Sequence, residues 1–178
     1  MKEIVMAMIG QPAPQFTAPA VIDGGEFKDI SLNDFKGKWT VLFFYPLDFT
    51  FVCPTEITQF RDALPKFKEL NAEVIGCSVD SVHSHKKWIQ DDLKDLGYPV
   101  IGDITKRVSR DYGVLLEDAG IATRGTFIID PEGTVQYQGI HNLSVGRDAG
   151  EILRVLQGLQ SGELCGAGWN PGDKHVEA

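Results

Sequence analysis

Trp39-Thr40-Val41-Leu42-Phe43-Phe44-Tyr45-Pro46-Leu47-Asp48-Phe49-Thr50-Phe51-Val52-Cys53-Pro54-Thr55-Glu56 carries the chain from one kind of backbone into another. Trp39 to Tyr45 is continuously apolar, aromatic and β-branched after the Lys36-Gly37-Lys38 turn, as in a strand covered on both faces. From Pro54 onward, Ile57, Phe60, Leu64, Phe67 and Leu70 recur at helical spacing, with Pro65 expected to kink or divide the helix. Cys53 stands at the junction. A proline directly after it suits the first helical position, where the missing N–H has no intrahelical partner to lose, so Cys53 is the expected N-cap. The unpaired N–H groups and macrodipole of a helix start favour negative charge, and the thiolate is the nucleophilic form of cysteine. Thr50 offers a hydroxyl to the sulfur or to an oxygen bound to it, and Phe49, Phe51 and Val52 are expected to keep the site dry.

Outward from this junction the pattern alternates. Residues 10–24, with Pro12, Pro14, Pro19 and a Gly24-Gly25 pair, read as an irregular lead-in with at most short strands. A second buried strand is expected at Val74 to Val79, then a helical segment from Ser81 whose Trp88, Leu93 and Leu96 face inward, ended by Gly97 and Pro99. A short helix follows around Lys106 to Tyr112. Phe127-Ile128-Ile129 and Val135 to Gln138 flank Asp130-Pro131-Glu132-Gly133, a turn with proline second and glycine fourth, and so form a hairpin. Ile152, Leu153, Val155, Leu156 and Leu159 mark a last amphipathic helix before a glycine-rich tail. This order belongs to an α/β protein with a central mixed β-sheet flanked by helices, and a thioredoxin-like fold fits it best. One domain over residues 1–160 and a C-terminal tail over 161–178 are expected.

A formal net charge of -8 over 178 residues disfavours nucleic acid and anionic membrane as partners, since both repel such a surface. The early apolar stretch at residues 4–9 is too short for a membrane span or a signal core, and the three cysteines are too sparse for a secreted disulfide framework. A cytoplasmic location is the expectation. Cys77, amid Val74, Ile75 and Val79, reads as an inert core residue, whereas Cys165 in its polar, glycine-rich tail reads as a reachable thiol. His83 and His85 read as solvated helix histidines, and no third ligand of suitable spacing accompanies them, so no metal and no cofactor are expected. Asp48 and Glu56 are not read as a catalytic carboxylate pair. The Cys53 helix start lacks the second cysteine of a C-x-x-C dithiol, and Gly162, Gly166 and Gly168 fit no phosphate-binding loop.

The run Phe44 to Glu56 closely resembles the active-site segment of typical two-cysteine peroxiredoxins, the group that includes alkyl hydroperoxide reductase C. Similar stretches extend the resemblance over about residues 9–172: Ile75-Gly76-Cys77-Ser78-Val79-Asp80-Ser81, Arg124-Gly125-Thr126-Phe127-Ile128-Ile129-Asp130 and Leu164-Cys165-Gly166-Ala167-Gly168-Trp169. By that resemblance Pro46, Thr50 and Cys53 match the family's proline, threonine and peroxidatic cysteine, and Arg124 its active-site arginine. Glu56 and Arg147 match the supporting pair, although spacing alone does not choose Arg147 over Arg124. Cys165 matches the resolving cysteine, which in this family reaches the peroxidatic site of a partner subunit.

The resemblance implies a thiol-dependent peroxidase acting on hydrogen peroxide and alkyl hydroperoxides in antioxidant defence and redox homeostasis. Thiolate attack breaks the O–O bond, leaves a sulfenic acid on Cys53 and releases water or an alcohol. Condensation with Cys165 of a second subunit then gives an intersubunit disulfide, reduced by a dithiol partner such as thioredoxin or a flavoprotein disulfide reductase. Homodimers assembling into a decameric ring are implied as well. A redox-regulated holdase chaperone and a peroxide sensor relaying oxidation to a partner are the alternatives. Two positions depart from the family pattern: Ser144 and Gly166 stand where proline is usual, and Gly166 is expected to loosen the resolving segment.

Overall fold

The computed structural model describes residues 7–177; residues 1–6, which include half of the early apolar stretch, and Ala178 lie outside the described residues. In chain order the strands are β1 (Thr17–Ile22), β2 (Glu26–Ser31) and β3 (Trp39–Phe44), and after them comes α1 (Cys53–Glu69). β4 (Ala72–Ser78), α2 (Val82–Trp88), β5 (Val100–Gly102), α3 (Arg107–Asp111), the short β6 (Leu115–Leu116) and β7 (Ile121–Ala122), β8 (Arg124–Ile129), β9 (Val135–His141) and α4 (Ala149–Ser161) complete the order. Seven strands form one mixed sheet in the order β2-β1-β5-β4-β3-β8-β9, with β3, β4 and β5 parallel and the outer pairs antiparallel. Helices flank it, as the element pattern requires.

β3 supplies both halves of the core because its side chains alternate across the sheet. Val41, Phe43 and Tyr45 join Ile57, Phe60 and Phe67 of α1 and Ile152 and Leu156 of α4 on one face. Leu42 and Phe44 join Ile75, Cys77, Ile101, Tyr112 and Phe127 on the other. Phe43 stacks on Phe60 at 4.4 Å between ring centroids, which fixes α1 over the sheet. Gly76 leaves room for this: a Cβ there would stand 3.2 Å from the Phe43 ring. Cys53 and Cys77 consequently lie in different layers, with the sheet between them.

Several expectations are corrected. α1 runs unbroken through Pro65, because Ile57, Phe60, Leu64 and Phe67 keep one buried stripe across it and outweigh the backbone bond proline removes. The lead-in is irregular up to Phe16 and then holds one short strand, β1, as expected; β1 pairs with β2, which follows the lead-in and was not foreseen. β2 was invisible in the sequence because Glu26, Phe27, Lys28 and Asp29 are all exposed and leave no buried period to read. Ser81 does cap α2, its side chain accepting from the Ser84 N–H, but the helix widens into a π-turn over Ile89–Leu93 and stops there. The residue that follows it, Lys94, has φ +62° and cannot continue a right-handed helix.

Candidate active site

The end of β3 and the start of α1 are joined by residues 45–52, and this loop is pinned by a buried polar network. Tyr45 Oη donates to Asp48 Oδ1 at 2.8 Å, and Asp48 Oδ2 accepts from Ser84 Oγ at 2.7 Å and lies 2.8 Å from His85 Nδ1. His85 Nε2 lies 3.0 Å from the Ile101 carbonyl, and the Asp48 N–H donates to Asp80 Oδ2 at 2.9 Å. The expectation that His85 is solvated is therefore overturned: it is 1 % exposed and ties α2 to the loop, while His83 is exposed as expected. Spacing carried the signal, since His85 lies three residues before Trp88 and so on the same inward helix face. Asp48 anchors the loop through these bonds.

Within that loop the aromatic cover is absent. Phe49 is 55 % exposed, in the left-handed region at φ +55°, with its ring tilted against Trp88 at 5.6 Å between centroids, while Phe51 is 94 % exposed. Pro46 is buried. Thr50 Oγ1 donates to the Leu47 carbonyl at 2.9 Å rather than to sulfur, which leaves its lone pairs as acceptors facing away from that bond. Cys53 is the first helical residue and Val52 the N-cap, one position earlier than the proline suggested, because Pro54 is tolerated anywhere in the first turn.

Cys53 is fully buried, and the charge around it comes from three side chains. Arg124, the first residue of β8, donates from Nη1 to Cys53 Sγ at 3.4 Å and to Glu56 Oε2 at 2.6 Å, and from Nε to the Leu143 carbonyl at 2.8 Å. Glu56 Oε1 accepts from Arg147 Nε at 2.7 Å and from the Arg147 backbone N–H at 2.9 Å. Arg147 Nη1 continues to the Gly125 carbonyl at 2.7 Å. Burial holds the Arg147 guanidinium below its ordinary value, and hydrogen bonding to Glu56 opposes that. Two guanidiniums and one carboxylate leave one positive charge in excess beside the Cys53 sulfur, in a water-poor site.

Glu56 thus divides the roles that spacing left open: one oxygen takes each arginine, and Arg124 alone of the two also reaches sulfur. Cys165 lies far along the chain, half-buried against α4, its Sγ 3.6 Å from Ser161 Oγ and 3.8 Å from the Gly158 carbonyl. The expectation of an unburied tail thiol is met only in part. Cys77 is buried, and its thiol is pushed well above its ordinary range by burial and the nearby Asp103 charge, as an inert core residue should be. Among the described residues no cluster of histidine, cysteine and carboxylate side chains could hold a metal, and no helix is long and apolar enough to cross a membrane.

A mixed sheet flanked by helices, with a buried cysteine at a helix start under an arginine, defines a thiol-reactive protein of thioredoxin-like architecture. The match to known sequences is specific. Residues 9–138 match the AhpC/TSA family. The chain is 52% identical over 182 residues to the chloroplastic 2-Cys peroxiredoxin BAS1 of Spinacia oleracea, covering 97% of this chain and 68% of that protein. It is 49% identical over 183 residues to peroxiredoxin-2 of Bos taurus, covering 98% and 92%. The crystal structure of reduced Plasmodium vivax 2-Cys peroxiredoxin superposes with a TM-score of 0.93 at 38% identity, covering 97% of this chain and 94% of that one. The chain belongs to the AhpC/TSA family and is a peroxiredoxin, a thiol-dependent peroxidase.

Proposed function

We propose that Cys53 is the peroxidatic cysteine and that it reduces hydrogen peroxide and small alkyl hydroperoxides. The observation that carries this is the Arg124 Nη1 contact to Cys53 Sγ at 3.4 Å, made by a guanidinium whose other bonds, to Glu56 and the Leu143 carbonyl, hold it in plane. Among the described residues none of those bonds uses Nη2, which remains to donate to a peroxide oxygen as charge builds on it. Thr50, its own proton committed to Leu47, accepts the peroxide O–H, and buried Pro46 walls the loop. Attack along the O–O axis forms the S–O bond, breaks O–O, and releases water or an alcohol once the leaving oxygen takes a proton. Glu56 and Arg147 position Arg124 and do not touch substrate.

Cys165 resolves the sulfenic acid. Cys77 is sealed in the core and Cys165 is half-exposed, so of the two remaining thiols only Cys165 is positioned to move. Its attack forms the Cys53–Cys165 disulfide between two copies of the chain and expels water, and a dithiol partner of the thioredoxin or flavoprotein type restores both thiols. Phe51 and Val145, large apolar side chains left open to solvent, support burial against a second copy. Assembly of such dimers into a decameric ring, a cytoplasmic location, and one domain over 1–160 followed by the tail 161–178 complete the proposal. No observation favours the holdase or sensor alternatives.

Continuous peroxide consumption driven by a thioredoxin-type dithiol tests this, with Cys53→Ser and Cys165→Ser as comparisons. Loss of turnover in both, with the single rapid peroxide reaction kept in Cys165→Ser, is expected. Sustained turnover by Cys53→Ser overturns the assignment.

A further inference from the structure

Breaking the peroxide bond leaves a basic oxygen that needs a proton, and the side chains placed around Cys53 have none to give. The Thr50 hydroxyl proton is committed to the Leu47 carbonyl at 2.9 Å, and Tyr45 and Tyr98 donate theirs to Asp48 and to the Ile57 carbonyl. Glu56 accepts from an arginine at each carboxylate oxygen, and a guanidinium does not release a proton inside a protein. His85 has one ring nitrogen against Asp48 and the other against the Ile101 carbonyl. The proton must come from beyond this network. His141, the last residue of β9, stands beside it: its partner across the β8–β9 ladder is Arg124, the residue that reaches the Cys53 sulfur. Directly opposed residues of an antiparallel pair point to the same face, with Cβ atoms about 5 Å apart. That face is the Cys53 layer, since Ile128, four residues after Arg124, and Tyr137, four before His141, both pack into it.

Two further observations set His141 apart. Its Nδ1 is buried and has no hydrogen-bond partner among the described residues, although the residue as a whole is only half-buried. A buried polar atom left unpaired is costly, so its retention calls for a partner that arrives in turnover. Gly139, two residues earlier on the same face, has no side chain, and the Tyr137 hydroxyl lies over it, displaced along the strand toward His141. An imidazole placed between interior and solvent can release a proton from one nitrogen and take one up at the other. We propose that His141 supplies the proton taken by the leaving oxygen, passing it from Nδ1 through one bridging water to the oxygen held at Arg124 Nη2. This deepens, and rests on, the reading of Cys53 as the peroxidatic cysteine. In the step, the Cys53 thiolate attacks the protonated oxygen of ROOH; the S–O bond forms, the O–O bond breaks, and its electron pair leaves on RO⁻. Sulfur is oxidised to the sulfenic acid, which keeps the peroxide hydrogen, and the peroxide is reduced. The bridging water protonates RO⁻ and takes the proton on Nδ1, while Nε2 takes one from solvent, so ROH departs with one solvent proton consumed.

The leaving group separates proton delivery from mere support of Arg124. Hydrogen peroxide and tert-butyl hydroperoxide expel a strongly basic oxygen that needs the proton, whereas peracetic acid expels acetate, which does not. Stopped-flow measurement of the first turnover of the reduced full chain compares the three peroxides in His141→Gln and in His141→Phe, the second of which keeps a flat ring without the unpaired nitrogen. Each variant should react with hydrogen peroxide and tert-butyl hydroperoxide about 10-fold or more slowly than wild type, and with peracetic acid within about twofold of it. The peracetic acid rate also reports that the site is still folded. An equal loss with all three peroxides, as displacement of Arg124 would give, overturns the proposal, and so does a hydrogen peroxide rate within about twofold of wild type in both variants. Cys53→Ser, run alongside, isolates the underlying reading: if it still reduces hydrogen peroxide in the first turnover, Cys53 is not the peroxidatic thiol and that assignment fails on its own account.

Discussion

Arg124 and Glu56 share a 2.6 Å ion pair with side chains 4% and 1% exposed, and it is this bond that aims Arg124 at the Cys53 sulfur. Breaking it from the Glu56 side leaves two buried guanidiniums without a counter-charge. Glu56→Ala should cost about 3–5 kcal/mol of stability, while Glu56→Gln, which keeps an acceptor, should cost less and still slow the peroxide step. Urea unfolding compared with the single-turnover rate checks this; a Glu56→Gln enzyme reacting at the wild-type rate would mean that Arg124 needs no holding.

Charge without the fork should not suffice at Arg124. Its Nε and Nη1 are both engaged, so lysine can reproduce at most one of these bonds. Arg124→Lys should lower the second-order rate with hydrogen peroxide by about 100-fold, equivalent to about 2.7 kcal/mol of transition-state stabilisation. Stopped-flow measurement of the first turnover decides; a rate within a few-fold of wild type refutes the geometric role.

Thr50 should tolerate only a hydroxyl. Thr50→Ser keeps the bond to the Leu47 carbonyl and the free lone pairs, whereas Thr50→Val keeps the shape and loses both. Near wild-type peroxide reduction by the serine variant and a loss of about 10-fold or more by the valine variant are expected. Equal rates in the two variants would remove the hydroxyl from the mechanism.

Cys53→Ser should abolish turnover and Cys77→Ser should leave it nearly unchanged, since the sheet separates Cys77 from the reacting thiol. One equivalent of peroxide should convert the wild-type chain to a dimer on non-reducing gels through Cys53 and Cys165. Consumption of both thiols at monomer mass would show an intrachain bond instead.

Alkaline pH should weaken the fold through groups that are buried in their neutral form. Burial is the first cause that raises the Cys77 thiol well above 9.0, and it raises the Tyr45 and Tyr98 hydroxyls well above 10.0. The unfolded chain ionises them near those ordinary values while the folded chain does not. Their contribution is therefore complete below about pH 9 and is lost as pH rises further, at up to about 1.4 kcal/mol per pH unit for each group. Denaturant midpoints from about pH 8 to about pH 10.5 should fall, and Cys77→Ala should flatten the onset. An unaltered pH slope in Cys77→Ala would show that this thiol ionises in the folded state.

The strand at Trp39–Phe44, the helix after Cys53, the Asp130–Gly133 hairpin and the last amphipathic helix were legible in the sequence, because each has a local signature: a period, a turn residue or a cap. Cys53 was legible for the same reason, its neighbours in sequence being its neighbours in space. β2 was not, since an exposed edge strand buries almost nothing and leaves no period to read. His85 was misjudged because its meaning lies in Asp48, 37 positions away, at 2.8 Å inside a core no local window contains. The same holds for the choice between Arg124 and Arg147, which only Glu56 Oε1 and Oε2 could make. Residue types and spacing determined which chemistry this chain can perform; long-range pairing of buried polar groups, where a missing partner is costly, decided which side chains are held in place to perform it.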